Sequence, residues 1–196
     1  MIAVSRILAF VLMAGLAACS GGGSTRVEAI YTLTALESPA VPGGTTQQIL
    51  VPEPRALESL SSSQIPVKPT ATTLSYYPAV ALEDAAPKVI QRLLLDTFQN
   101  TGRVKAVGLP GQSLLINYQV VTEVRAFQAE TFGANQARVE ISVKLLNDSN
   151  GRVIADRIFT TVVPMSGDSA QSAADGLNRA AQTLAADVVA WTLTSI

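Results

Sequence analysis

The stretch Ala137-Arg138-Val139-Glu140-Ile141-Ser142-Val143-Lys144-Leu145 alternates apolar and polar side chains without a fault. In an extended chain, successive side chains point to opposite faces, so this pattern predicts a strand with one dry face and one wet face. Downstream, Asn147-Asp148-Ser149-Asn150-Gly151 has the composition of a hairpin turn. Arg152 to Val163 then reads as the return strand, closed by Pro164, which lacks an N–H for the ladder. Upstream, Leu114, Ile116, Tyr118, Val120, Val124 and Ala126 place apolar groups on even positions, alternating with Asn117, Gln119, Glu123 and Arg125. Three such strands in succession predict a mostly antiparallel sheet whose dry face must be covered.

Two helices can cover it. Ala86, Ile90, Leu93, Leu94 and Phe98 recur at helical spacing. Glu83 and Asp84 are expected at that helix's start, where the dipole favours acids, Pro87 suits its first turn, and Gly102 supplies the stop. The second helix presents Ala170, Ala174, Leu177, Ala181, Leu184, Val188 and Trp191 on one face. Asp168 and Gln171 have the spacing of a capping box at its start. Between them, Val104 to Val107 reads as a short strand, followed by a turn at Gly108 to Gly111. Toward the N-terminus, Glu28 to Ala35 and Ile49 to Val51 read as short extended segments, the latter limited to an edge or bend by Pro52 and Pro54. Leu74-Ser75-Tyr76-Tyr77 reads as a strand that stops at Pro78. The order β-α-β-β-β-β-α predicts an α+β fold with both helices on one face of the sheet.

The first residues read differently. Arg6 precedes twelve consecutive apolar or glycine residues, Ile7 to Ala18. As a helix these would reach about 18 Å, short of the roughly 30 Å of a bilayer core, which is the dimension of a signal peptide. Leu16-Ala17-Ala18-Cys19 resembles the lipobox of bacterial lipoproteins, and Cys19 is the only cysteine of the chain. The resemblance implies cleavage before Cys19, a diacylglycerol on its sulfur and an acyl chain on its amine. Two or more acyl chains hold a protein firmly to a membrane where one does so only marginally. Ser20 stands where an Asp would be the usual inner-membrane retention signal, so the expected location is the periplasmic face of the outer membrane. The division expected is 1–18 signal peptide, 19–27 lipidated Cys19 and glycine-rich flexible tether, and 28–196 a single periplasmic domain.

Composition narrows the chemistry. The 196 residues carry 14 Lys+Arg against 15 Asp+Glu and no His. A net charge of −1 lacks the clustered basic excess that nucleic acid requires. Without His there is no imidazole base, no His-oriented serine nucleophile and little prospect of zinc. No glycine-rich phosphate loop is present, so any ATP hydrolysis belongs to another chain. No metal and no cofactor beyond the acyl groups on Cys19 are expected.

Leu74-Ser75-Tyr76-Tyr77, Gln91-Arg92-Leu93-Leu94, Asn100-Thr101-Gly102-Arg103-Val104, Phe127-Gln128-Ala129-Glu130, Gly151 to Ala155 with Arg157-Ile158-Phe159, and Val188 to Trp191 occur in an order that resembles the ABC-type transport auxiliary lipoproteins, including the paraquat-inducible PqiC-like proteins. The likeness runs from about Tyr31 to Leu193. Members often carry a Trp before the first helix, followed by Ala-Asp; this chain has Leu82-Glu83-Asp84, keeping the acid and losing the indole. The resemblance implies a non-catalytic adaptor beside an ABC transporter whose MCE-domain protein, permease and ATPase move phospholipid or a related lipid across the envelope. It also makes a homo-oligomer plausible. The alternatives are a lipoprotein that assembles another envelope or secretion machine, and, further off, a His-independent hydrolase.

Four aromatic residues are candidate contacts for a partner or lipid. Tyr76 and Tyr77 stand against ordinary packing in the core and over a sheet edge. Phe127 and Phe132 are candidates for an exposed apolar rim at the loop tip Gly133-Ala134-Asn135, against the commoner reading of ordinary packing. Trp191 is expected to pack in the core.

Overall fold

The structure is a computed structural model that describes residues 26–196. The signal segment, Cys19 and all but the last two residues of the tether lie outside the described residues. The elements are β1 (Ala29–Tyr31), β2 (Thr45–Leu50), β3 (Arg55–Ala56), β4 (Pro66–Lys68), β5 (Ser75–Tyr76), β6 (Val80–Leu82), α1 (Ala86–Thr101), β7 (Val104–Gly108), β8 (Tyr118–Glu130), β9 (Gln136–Asn147), β10 (Arg152–Pro164) and α2 (Ala170–Ser195). The fold is α+β, as the sequence pattern predicts.

The antiparallel meander β8-β9-β10 is the body of the main sheet, whose strand order is β10-β9-β8-β2-β7. Every apolar residue of the alternating stretch is buried: Ala137, Val139, Ile141, Val143 and Leu145. Strand β8 starts at Tyr118, so Leu114 and Ile116 belong to the preceding loop. A β-bulge between Val124 and Ala126 shifts its register against β9. An inserted residue reverses which side chains face inward. Beyond it, Phe127 and Ala129 join the core.

Along its other side, β8 is bordered in turn by three short parallel strands, with Ile49 of β2 opposite Tyr118, Arg55 of β3 opposite Glu123, and Val67 of β4 opposite Ala129. Pro52, Pro54 and Pro66 punctuate this run. Each proline removes a ladder donor, so the chain cannot lie against β8 as one continuous strand. Strand β2 is interior, held between β8 and β7. The bend expected near Pro52 is present, but the edge position is not.

Helix α1 has its N-cap at Ala85, whose N–H donates to Asp84 Oδ1 at 2.7 Å. Its first turn holds no acid, so Glu83 and Asp84 precede the helix instead of opening it. Gly102 adopts φ +62 at its end, as the expected stop requires. Helix α2 is capped by Ser169, whose side chain accepts from the Ser172 N–H. The box expected from Asp168 and Gln171 does not form. Serine one residue later offers its oxygen at the correct reach, and the cap moves with it.

Both helices pack into one core with the dry face of the sheet. The strand expected over Glu28 to Ala35 ends at Tyr31, paired in parallel with β6 in a separate small sheet. The chain then crosses the outside of both helices. Gln182 Nε2 donates to Thr34 O at 2.7 Å, and Asn100 Nδ2 donates to Leu36 O at 2.8 Å.

Helix α2 approaches the sheet closely because small residues face it. Ala173, Ala180, Ala181 and Ala185 are buried, and a Cβ at Gly176 would stand 2.9 Å from Ala137 Cβ and 3.0 Å from Met165 Cγ. Replacing glycine inside a helix ordinarily gains up to about 1 kcal/mol, but overpacking a filled core costs about 1–3 kcal/mol. Gly176→Val, whose branched side chain also has poor helix propensity, is expected to lower unfolding free energy by about 1–3 kcal/mol. Urea denaturation should show the midpoint fall with little change in slope.

Candidate functional site

The four aromatic residues singled out from sequence do not converge. Phe127 is fully buried beneath the helices, so it forms no rim. The bulge before it turns its ring inward. Phe132 alone stands at the β8–β9 loop tip, 39% exposed. Tyr76 is half-buried, and its hydroxyl donates to Ser59 O at 3.0 Å. Tyr77, also half-buried, donates to Asp168 O at 2.9 Å and so ties β5 to the start of α2. Burial, with the Asp168 carboxylate nearby, raises the Tyr77 hydroxyl above its ordinary pKa. Both hydroxyls thus serve the backbone of this chain.

A different cluster lies where β10 meets the C-terminal half of α2. The rings of Phe159 and Trp191 meet edge to face, with centroids 5.6 Å apart and planes at 70°. The Arg157 guanidinium carbon lies 4.9 Å from the Phe159 centroid, within cation–π range. Together with Pro42, Asp187 and Thr194 they line an open recess of about 350 Å³. Trp191 packs against the core, as expected, yet it also keeps one side at this recess. Aromatic walls beside one cation and one anion suit binding of an amphipathic group. The sequence signal for this cluster was the i, i+2 pair Arg157 and Phe159, which share a face of β10; their distance from Trp191 became apparent only with the helix in place.

The wet face of the sheet carries an ion network. Glu140 accepts from Arg138 Nη2 at 2.8 Å and Thr160 Oγ1 at 3.1 Å, and lies 3.4 Å from Arg125 Nε. Burial pulls the Glu140 carboxyl upward. Hydrogen bonds from Arg138 and Thr160, with the charges of Arg138 and Arg125, outweigh it and hold the pKa below the ordinary glutamate value. Nearby, buried Glu130 accepts from Gln128 Nε2 at 3.1 Å and Gln136 Nε2 at 2.7 Å. These carboxylates are occupied by amides and guanidinium groups and present no nucleophile–base pair. Among the described residues no group of three His, Cys, Asp or Glu could hold a metal ion, and no helix is long and apolar enough to cross a membrane.

A family model described as "ABC-type transport auxiliary lipoprotein component" matches residues 31–189. A crystal structure of a Xanthomonas campestris protein from the DUF330 family is similar at a TM-score of 0.80 and 27% identity, over 85% of this chain and 95% of that one. The PelC dodecamer of Paraburkholderia phytofirmans is similar at a TM-score of 0.51 and 16% identity, over 77% of this chain and 93% of that one, which is a likeness of fold. An uncharacterized protein of Bradyrhizobium diazoefficiens is 23% identical over 94% of this chain. The chain spans half the length of that curated relative.

A depressed carboxylate pKa contributes stability above the unfolded value of about 4.3 and loses it as pH falls through the folded value. Both arginines are partly exposed, which limits the effect to about 0.5–1 kcal/mol. Glu140→Gln is therefore expected to be less stable than wild type by about that amount at pH 7. The difference should shrink in acid, below the ordinary glutamate value, as wild-type Glu140 takes up its proton. Urea titrations of both proteins at pH 7 and through the acid range test this.

Proposed function

As this chain belongs to the family of ABC-type transport auxiliary lipoprotein components, we propose that it is the non-catalytic, lipid-anchored docking subunit of an MCE-type transporter that moves phospholipid or a related lipid across the envelope. The family match across residues 31–189 is the observation that carries this reading. Family membership associates the chain with a transporter and with the cell envelope. The MCE-domain protein, acting with its permease and ATPase, is the proposed partner. The outer membrane, on its periplasmic face, is the proposed location.

The chemistry of the chain supports a binding role. Its polar clusters are committed to neighbouring side chains, and two aromatic groups, exposed Phe132 and partly buried Trp191, lie in recognisable contact settings. Phe132 is exposed at a loop tip, and Trp191 borders the recess with Arg157 and Asp187. Anchoring is assigned to Cys19, with a diacylglycerol on sulfur and an acyl chain on the amine. Several chains together contribute enough buried methylene for stable attachment at about 0.8 kcal/mol each. Self-association is also part of the reading, since a protein of the same fold, PelC, is a dodecamer.

Affinity purification of the full chain from detergent-solubilised envelopes is expected to recover the MCE-domain protein with its permease and ATPase. Repeated recovery of a secretion channel, with no MCE-domain protein, would overturn the assignment. Wild type should incorporate labelled fatty acid and fractionate with membranes. Cys19→Ala should incorporate none. An unmodified wild-type amino terminus with residues 1–18 still attached would refute the anchor.

A further inference from the structure

The recess beside Trp191 is built by periodicity on two elements. On α2, Asp187, Ala190, Trp191 and Thr194 follow one another at i, i+3, i+4 and i+7, so they form one stripe of the helix. On β10, Arg157 and Phe159 stand two residues apart and share the face that meets this stripe. Pro42, from the chain between β1 and β2, completes the lining. The volume of about 350 Å³ admits a polar headgroup but not a pair of long acyl chains.

Its two charges are unanswered. Among the described residues neither Arg157 nor Asp187 enters an ion pair, so their charged atoms stand more than 4.0 Å apart although they line one recess. Arg157 lies over the Phe159 ring, a contact that leaves its N–H groups available to an oxyanion. Asp187 is exposed, one helical turn before Trp191. Opposite charges that share a recess without closing on each other complement a ligand that carries both signs.

We propose that this recess binds the headgroup of a zwitterionic phospholipid of the phosphoethanolamine type, with its phosphate on Arg157 and its ammonium on Asp187. The Trp191 ring adds cation–π attraction for the same ammonium. Charge selects this class. A headgroup with a phosphate alone answers Arg157 but sets its net negative charge against Asp187, and a purely cationic group does the reverse against Arg157. A neutral zwitterion meets both. The acyl chains stay outside the recess, in the surrounding lipid. This names the lipid class for the phospholipid role proposed above and rests on that role.

Trp191 is the only tryptophan of the chain, so its fluorescence reads the recess directly. The full chain is titrated in non-ionic detergent micelles that carry increasing mole fractions of phosphatidylethanolamine or, separately, phosphatidylglycerol. Phosphatidylethanolamine is expected to give a saturable change in emission, half-complete at a mole fraction about tenfold lower than phosphatidylglycerol requires. Asp187→Asn should erase that preference while phosphate binding persists. Arg157→Gln should weaken the response to both lipids by about tenfold or more. Both positions are exposed, so neither change threatens the fold. Lys144→Gln, exposed on the wet face, should leave the titrations unchanged. Soluble glycerophosphoethanolamine should compete with phosphatidylethanolamine, since it carries the same headgroup. No response to phosphatidylethanolamine, an equal response to both lipids, or one that survives Arg157→Gln overturns the site. A response to glycerophosphoethanolamine without one to phosphatidylethanolamine overturns the lipid as its occupant. Recovery of the MCE-domain protein alongside any of these failures leaves the transporter assignment standing. Recovery of a secretion channel with the lipid response intact overturns that assignment and leaves the site.

Discussion

Close contact between α2 and the alternating strand β9 is the constraint on which the rest of the molecule depends. Gly176 and a row of alanines bring the helix backbone near Ala137 and Met165. Larger side chains would lift the helix from the sheet and open voids that neither surface could fill. With α2 seated this low against β8, β9 and β10, α1 packs beside it toward β7, and both join one core with the aliphatic side chains of β9. The same closeness explains why α2 is rich in alanine while α1 carries leucine and isoleucine.

From that seating follows the division of the sheet into a dry and a wet face. The dry face is fully committed to packing, including Phe127 and most of the apolar surface of α2. The wet face is stitched by Arg125, Arg138, Glu140 and Thr160. In such a body the Glu140 carboxylate is tied to neighbouring guanidinium and hydroxyl groups. What it can offer a partner is shape: a loop tip at Phe132, a recess under Trp191 and one long outer strand. A family named for auxiliary components of transport fits a scaffold of this kind.

Proline placement shapes the N-terminal half. A continuous strand beside β8 would have made a simpler sheet, but Pro52, Pro54 and Pro66 divide it into β2, β3 and β4. Each short piece contributes a few ladder bonds. Just past β5, the Tyr77 hydroxyl bond to Asp168 O holds this half against the start of α2. The strap from Thr34 to Leu36 closes the helices from outside, through amide side chains of Asn100, Asn178 and Gln182.

Residue pattern by itself determined the meander, its dry and wet faces, both helices, the Gly102 stop and the α+β class, because these depend on period and on local backbone preference. It also carried the ordered matches to the family, which are linear features. It misplaced what depends on register and neighbours. The bulge in β8 turned Phe127 inward, since one inserted residue reverses the facing of everything after it. The cap of α2 moved from Asp168 to Ser169 by a shift no longer than one residue. The parallel insertion of β2 between β8 and β7, and the meeting of Arg157, Phe159 and Trp191, were decided only by tertiary structure. Those partners are far apart in the chain, and no local propensity encodes which distant surface a strand or ring will meet.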